Sequence, residues 1–141
     1  LVEYVNCKGV KNVRFLPFQP LNRLPETLTC ADGSLVGIKP EMEGMCVSSK
    51  LYSSLAAGVP VLAVVGEGDE VARVVREHGC GEYVQPGDVE TAADVLARWA
   101  DDPHLVSRLG QNARIALEEN YTKEHAVESY RSLFGRVAAE S

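Results

Sequence analysis

Continuous apolar runs alternate with amphipathic stretches along most of the chain. The runs SLVGI at 34–38 and PVLAVV at 60–65 predict buried parallel strands. NVRFL at 12–16 and EYVQ at 82–85 have the β-branched and aromatic character of shorter strands. Helices are predicted at 21–31, at 48–57, after Asp69 and through most of the chain beyond Asp88. This alternation indicates an α/β fold with a doubly wound parallel sheet flanked by helices.

The later helical stretches each carry apolar residues at helical spacing, which predicts the faces that pack on the sheet or on one another. These faces are Val71, Val74, Val75 and His78; then Val89, Ala92, Ala93, Leu96 and Trp99; then Leu105, Leu109, Ala113, Ala116 and Leu117; then Ala126, Tyr130, Leu133, Phe134 and Val137. For the stripe containing Tyr130 and Phe134, two interpretations stay open: core packing, or a surface that meets another domain.

Composition narrows the class of protein. The 141 residues, 45% of them hydrophobic, suit one domain over 1–141. A net charge of −6 argues against nucleic acid as a partner, since phosphate binding needs clustered Lys and Arg. No apolar run is long enough to span a bilayer, and no signal peptide is recognisable.

The four cysteines are Cys7, Cys30, Cys46 and Cys80, and they lie far apart without C-x-x-C spacing. We therefore predict no metal site. Disulfides are not excluded by this count. Cys30 and Cys80 have small or apolar neighbours, so we interpret them as core residues in a reducing cytoplasm.

Ligands of doubly wound sheets bind at the carboxyl ends of the strands. That rule selects four loops, at 17–20, 39–47, 66–69 and 85–88. The second and third combine acids and glycines with the start of a helix. A helix N-terminus attracts phosphate, glycine lets the backbone approach an anion, and a carboxylate such as Glu43 accepts hydrogen bonds from sugar hydroxyls. Together they predict a phosphorylated sugar as ligand.

The segment EGMCVSSKLYSSLAAGVPVLAV at 43–64 resembles the donor-binding segment of retaining glycosyltransferases of the GT-B fold, family 4, where a Glu-Gly loop leads to a PSKLYEYMAAGKPV-like helix and strand. The order NVRFLPFQP, ADGSLVGIKP, GEGDEVARVVREHGCGEYVQPGD, DDPHLVSRLGQNAR and NYTKEHAVESYRSLF agrees with it over nearly the whole chain. The chain is most similar to the C-terminal domain of bacterial surface-polysaccharide enzymes.

This resemblance implies a cytoplasmic domain that binds a nucleotide-diphosphate sugar, without metal or other cofactor, for transfer to a saccharide or lipid-linked acceptor. The parent enzyme would be peripheral at the inner face of the membrane. The acceptor-binding N-terminal domain, the basic phosphate-binding pair and the first two strands of the sheet would precede Leu1. The isolated chain is therefore expected to transfer no sugar.

The resemblance also assigns roles to individual residues. Glu43 would be the catalytic acid that contacts the donor sugar, and the backbone of Gly44 and Met45 would face the diphosphate. Ser53 stands where the family has a second acid that binds ribose. This departure leaves ribose recognition to a serine hydroxyl.

Each of these residues also has a structural interpretation. Glu43 itself fits a solvated loop carboxylate, and Ser48 and Ser49 fit a helix cap better than direct ligands. Lys50 fits either a solvated side chain or a phosphate neighbour. Phe18 fits either a nucleotide-base contact or a turn aromatic covering the core. Asp69 and Glu70 fit helix-start acids.

Two alternatives to the transferase remain: a non-catalytic Rossmann-like nucleotide-binding module, and a GT-B-related sugar-nucleotide epimerase. The strand order of such sheets would also leave SLVGI with an open edge. Three outcomes are consistent with the sequence. NVRFL moves beside SLVGI, two chains pair their edges, or a segment outside this sequence completes the sheet.

Overall fold

The computed structural model describes residues 1–139 and contains a three-stranded parallel sheet. Its strands are β1 (Ser34–Gly37), β2 (Val61–Val64) and β3 (Gly81–Val84), and β2 lies between the other two. The register pairs Gly37 with Val64, and Val64 with Val84. The carboxyl ends of all three strands therefore lie side by side at one edge of the sheet.

Helices connect and cover these strands. Their bounds are α1 (Val2–Cys7), α2 (Leu24–Thr29), α3 (Ser49–Ala57), α4 (Glu70–His78), α5 (Val89–Asp101), α6 (Pro103–Asn120) and α7 (Lys123–Ala139). Two short 3₁₀ helices occur at Leu21–Arg23 and Pro40–Met42. Within 1–139, no helix is both long and apolar enough to cross a membrane.

The sheet has an apolar core on each face, because alternate β2 side chains point to opposite sides. Val61 and Ala63 pack with buried side chains of α3, α4 and α6. Leu62 packs on the other side with Val95 and Trp99 of α5 and with α6. The predicted class, an α/β fold with a parallel sheet flanked by helices, is confirmed.

The predicted strand NVRFL is wrong. Residues 12–16 form no strand, and Val13, Phe15 and Leu16 are exposed. A strand is stable only when its backbone groups pair with a neighbour, and this segment has no such pairing in the described chain. The outcome in which NVRFL moves beside SLVGI is therefore wrong as well.

The outer edge of β1 carries no strand within residues 1–139, since β1 pairs only with β2. Leu35, on this strand, is 65% exposed. Leu35 and Trp99 help to line an open apolar groove of about 740 Å³ on the α5 side of the sheet. Pairing between two chains, or with a segment outside this sequence, stays a prediction.

Two predictions about helix faces need correction. On α5 the residues that pack in the core are Ala92, Val95 and Trp99, whereas the predicted Val89, Ala93 and Leu96 are exposed. On α7 no residue is buried, so the core-packing interpretation of Tyr130 and Phe134 is wrong; their rings stack with centroids 6.3 Å apart. The faces on α4 and α6 are confirmed.

The structure places Cys80 and Cys30 in different environments. Cys80 is fully buried, and burial raises the pKa of its thiol to about 11, which makes it an unreactive core residue, as predicted. Cys30 is exposed, so its assignment to the core is wrong. It follows α2 directly, and its backbone N–H donates to the Glu26 carbonyl at 3.1 Å as the C-cap of that short helix.

Candidate functional site

Glu43 lies over the loop that follows β2. It comes after the Pro40–Met42 turn that leaves β1. A Cβ atom added to Gly66 would lie 2.8 Å from Cδ and from Oε1 of Glu43, and one added to Gly68 would lie 3.0 Å from Oε1. The carboxylate therefore rests on the backbone of this glycine loop. Two of the four loops selected from the sequence thus meet at the carboxyl edge of the sheet.

The glycine loop is held by Asp69. This residue is 2% exposed, and its carboxylate accepts the Val71 N–H at 2.8 Å as the N-cap of α4. Its own N–H donates to the Gly66 carbonyl at 3.1 Å. Asp69 is thus the helix-start acid that the sequence suggested, and it fixes the conformation of the glycine loop beneath Glu43.

The N-terminus of α3 differs from those of the next three helices. Asp69, Asp88 and Asp102 cap α4, α5 and α6 by accepting backbone N–H groups. Ser48 is the N-cap residue of α3, as expected, but its side chain makes no capping hydrogen bond. The first turn of α3 contains no acid and carries the exposed Lys50. This helix end has the electrostatic character that favours an anion.

Packing and hydrogen bonds hold α3 firmly against the sheet. Leu51 and Leu55 are fully buried. The Ser54 hydroxyl lies 2.7 Å from that of Ser34 on β1 and 2.8 Å from the Lys50 carbonyl. Because a hydroxyl has one proton, Ser54 donates to the carbonyl and accepts from Ser34. At the other end, the Arg114 guanidinium donates to the Ala56 carbonyl at 2.7 Å. The sequence did not reveal these contacts.

Ser53 lies on the second turn of α3 and is partly exposed. Its hydroxyl donates to the Ser49 carbonyl at 3.2 Å, a bond between successive turns of the helix. The proton is therefore used within the helix, while the oxygen lone pairs can still accept a hydrogen bond.

The remaining candidates fall into two groups. Gly44 has φ +73°, a conformation that favours glycine, and Met45 is exposed beside it, so both stay at the edge with Glu43. Phe18 is fully exposed in the segment before α2. Since NVRFL forms no strand, its loop is not a strand-end loop, and no described contact joins Phe18 to Glu43 or α3. The interpretation of Phe18 as a cover for the core is wrong.

A charged cluster on α4 borders the site. The Arg73 guanidinium bonds both oxygens of Glu70, at 2.6 and 2.8 Å, and also pairs with Glu77. The hydrogen bond from Arg73 lowers the pKa of Glu70. Tyr52 of α3 packs against Tyr121, with ring centroids 5.5 Å apart, and burial raises the pKa of Tyr52. These groups stabilise the helices around the site, and Glu70 is already neutralised by Arg73.

The part of the chain that the structure describes contains no group of three or more His, Cys, Asp or Glu side chains that could hold a metal ion. A carboxylate and a glycine loop meet at this edge, where α3 also begins with the exposed Lys50 in its first turn. These groups bind hydroxyls and phosphate.

The sequence of this chain is similar to those of known glycosyltransferases. The family "Glycosyl transferases group 1" matches residues 4–116. A "Probable glycosyltransferase WbjE" from Pseudomonas aeruginosa is 30% identical over 129 residues, 92% of this chain and 32% of that protein. An "MMP alpha-(1->4)-mannosyltransferase" from Mycolicibacterium hassiacum is 30% identical over 122 residues, 77% of this chain and 29% of that protein.

The chain thus spans about a third of the length of these curated relatives. The family match covers both cores of the sheet and the loops that carry Glu43 and Gly66. The three-stranded parallel sheet with helices on both faces is consistent with the C-terminal half of a GT-B glycosyltransferase. This chain belongs to the group 1 glycosyltransferases.

Proposed function

We propose that this chain is the donor-binding domain of a retaining, family 4-like glycosyltransferase. It would bind a nucleotide-diphosphate sugar for transfer to a saccharide or lipid-linked acceptor held by an N-terminal domain. The resemblance to surface-polysaccharide enzymes supports that pathway class, with a cytoplasmic enzyme peripheral to the inner face of the membrane. No metal takes part in the proposal, since the helix end and Lys50 supply the positive charge.

One observation carries the proposal: the Glu43 carboxylate rests on a glycine loop at the same sheet edge where α3 begins without a side-chain cap. An acid and an anion-binding helix end so placed match the two ends of a sugar diphosphate. Glu43 would accept hydrogen bonds from sugar hydroxyls. The α3 amides and Lys50 would hold the diphosphate and stabilise its charge as it leaves.

The remaining candidate residues would make further contacts with the donor. The positive φ of Gly44 and the exposure of Met45 leave their backbone open to the diphosphate. Ser49 begins α3, so its N–H belongs to the anion-binding turn. Ser53, one turn later, would meet the ribose, and Phe18 would reach the base only by movement of the exposed segment before α2.

The chain alone is expected to bind nucleotide diphosphates weakly and to transfer no sugar, since the proposed enzyme would also need a basic phosphate-binding pair and an acceptor domain. A dissociation constant of about 1 mM would correspond to about −4.1 kcal/mol. NMR titrations with UDP, GDP and ADP measure these dissociation constants. Lys50→Met should weaken the binding further, whereas the control Lys123→Met on α7 should not. Robust sugar transfer by the 141-residue chain would overturn the expectation.

The position of Ser53 gives a separate prediction. If it replaces the family's ribose acid, Ser53→Glu should preserve or tighten nucleotide-diphosphate binding, because a carboxylate has about four acceptor sites for the ribose hydroxyls whereas a serine hydroxyl has two. The partial exposure of Ser53 leaves room for the longer side chain. Calorimetry and thermal unfolding are the measurements. A joint fall in affinity and melting temperature would show that the position is packing and that the helix alignment is wrong.

The bond between Ser53 and the Ser49 carbonyl favours the second candidate, a module that binds nucleotides without catalysis. Such a module would bind a nucleotide diphosphate and the corresponding sugar nucleotide with equal affinity, because no residue would bind the sugar. A donor-binding domain should distinguish UDP from UDP-glucose, or GDP from GDP-mannose, and lose the difference in Glu43→Gln. Product analysis of the parent enzyme separates transfer from epimerisation.

A further inference from the structure

We propose that Gly66 and Gly68 are positioning residues, whose missing side chains create the space in which the Glu43 carboxylate lies. This inference rests on the proposed function and adds to it the device that sets where the sugar-binding acid is held. Neither glycine was singled out as a site residue by the sequence.

The backbone gives no reason for glycine at these two positions. Five glycines of the described chain have positive φ, and Gly66 and Gly68 are not among them. An alanine would therefore be compatible with the main chain at both positions. Gly44, by contrast, has φ +73° and needs glycine for its own conformation.

The obstacle to a side chain is Glu43. All three of the nearest atoms to a Cβ built on Gly66 belong to the Glu43 carboxyl group, with Cδ and Oε1 at 2.8 Å. The only atom within 4 Å of a Cβ built on Gly68 is Oε1 of the same group, at 3.0 Å. A methyl group at Gly66 would overlap the carboxylate, whereas one at Gly68 would only crowd Oε1 and require a small shift.

The two partners would respond unequally to that methyl group. Asp69 ties the loop to α4 through its N-cap bond and its bond to the Gly66 carbonyl. Glu43 is an exposed side chain that can rotate away. Gly66→Ala should therefore keep the fold and move the carboxylate. An acid displaced by about an ångström can lose about a hundredfold in rate, because transfer requires the sugar in one position.

The decisive test is a double-mutant cycle of Gly66→Ala with Glu43→Ala. In the parent enzyme, release of nucleoside diphosphate from UDP-glucose, GDP-mannose or ADP-glucose is followed, with the donor that gives the fastest turnover. Gly66→Ala should lower turnover by about ten- to a hundredfold in the presence of Glu43. It should change turnover less than twofold in the Glu43→Ala background. Equal losses in both backgrounds would show a merely structural role and overturn the proposal.

A second measurement needs no ligand. In the 141-residue chain, the ¹³Cδ signal of Glu43 should shift in Gly66→Ala and remain in place in the control Gly37→Ala, where a Cβ meets only the Val64 carbonyl oxygen at 3.8 Å. An unmoved signal in Gly66→Ala would overturn the contact itself. If the signal shifts in the 141-residue chain but the parent enzyme releases nucleoside diphosphate from none of the three donors, the contact between Gly66 and Glu43 stands. That outcome would overturn the proposed function together with the positioning role.

Discussion

Glu43→Gln should lower turnover of the parent enzyme by roughly 10- to 150-fold while leaving the fold intact. A hydrogen bond to a charged acceptor contributes about 1.5–3 kcal/mol, and that range converts to this loss if the bond forms in the transition state. Glutamine keeps the size and one oxygen of the side chain but loses the charge. The measurement is the rate of sugar transfer under saturating donor, with circular dichroism to confirm the fold.

Glu41→Gln is the matched control. Glu41 lies in the Pro40–Met42 turn, two residues before Glu43, is exposed, and makes no described hydrogen bond or ion pair. Its substitution removes the same charge from the same loop, so its turnover should stay within a factor of about two, since surface charges separated by solvent interact weakly. Equal turnover in wild type and Glu43→Gln would remove Glu43 from the site.

The local sequence pattern correctly predicted those strands that have a hydrogen-bonding neighbour within this chain. SLVGI and PVLAVV became β1 and β2 because each run is apolar on both faces and each is followed by a helix that returns the chain to the sheet. NVRFL has equal β character but no hydrogen-bonding neighbour, and propensity alone does not form a strand. The first helix, Val2–Cys7, went unpredicted because its one buried residue, Val5, gives no periodic signal.

The candidate site was predictable to the level of loops rather than contacts. The rule that strands end at a common edge selected 39–47 and 66–69, and these loops do meet. The resting place of Glu43 on Gly66 depends on the conformation of two loops, which neither periodicity nor turn chemistry specifies. The same limit applies to the capping of α3: Ser48 has the residue type of an N-cap, yet only geometry shows that its side chain makes no bond.

Gly81→Ala should destabilise the domain by more than about 3 kcal/mol and lower its melting temperature by roughly 10 °C or more. Gly81 lies just before the strand predicted at 82–85, and the structure makes it the first residue of β3, paired with Val61. A Cβ atom at this position would lie 2.7 Å from both the backbone N and C of Val61. Unlike the Glu43 carboxylate above Gly66, this backbone lies in the central strand and cannot rotate away.

The cost should appear at the site as well, because β2 carries the glycine loop at its carboxyl end. The Val61 N–H donates to the Cys80 carbonyl at 3.1 Å, so separating the strands breaks the ladder at its start. Gly135→Ala is the control: it lies within α7, no atom is within 4 Å of its added Cβ, and alanine should stabilise the helix by about 0.5–1 kcal/mol. Thermal unfolding of both variants decides the matter. If Gly81→Ala has the same melting temperature as the wild type, β2 and β3 are not packed this closely.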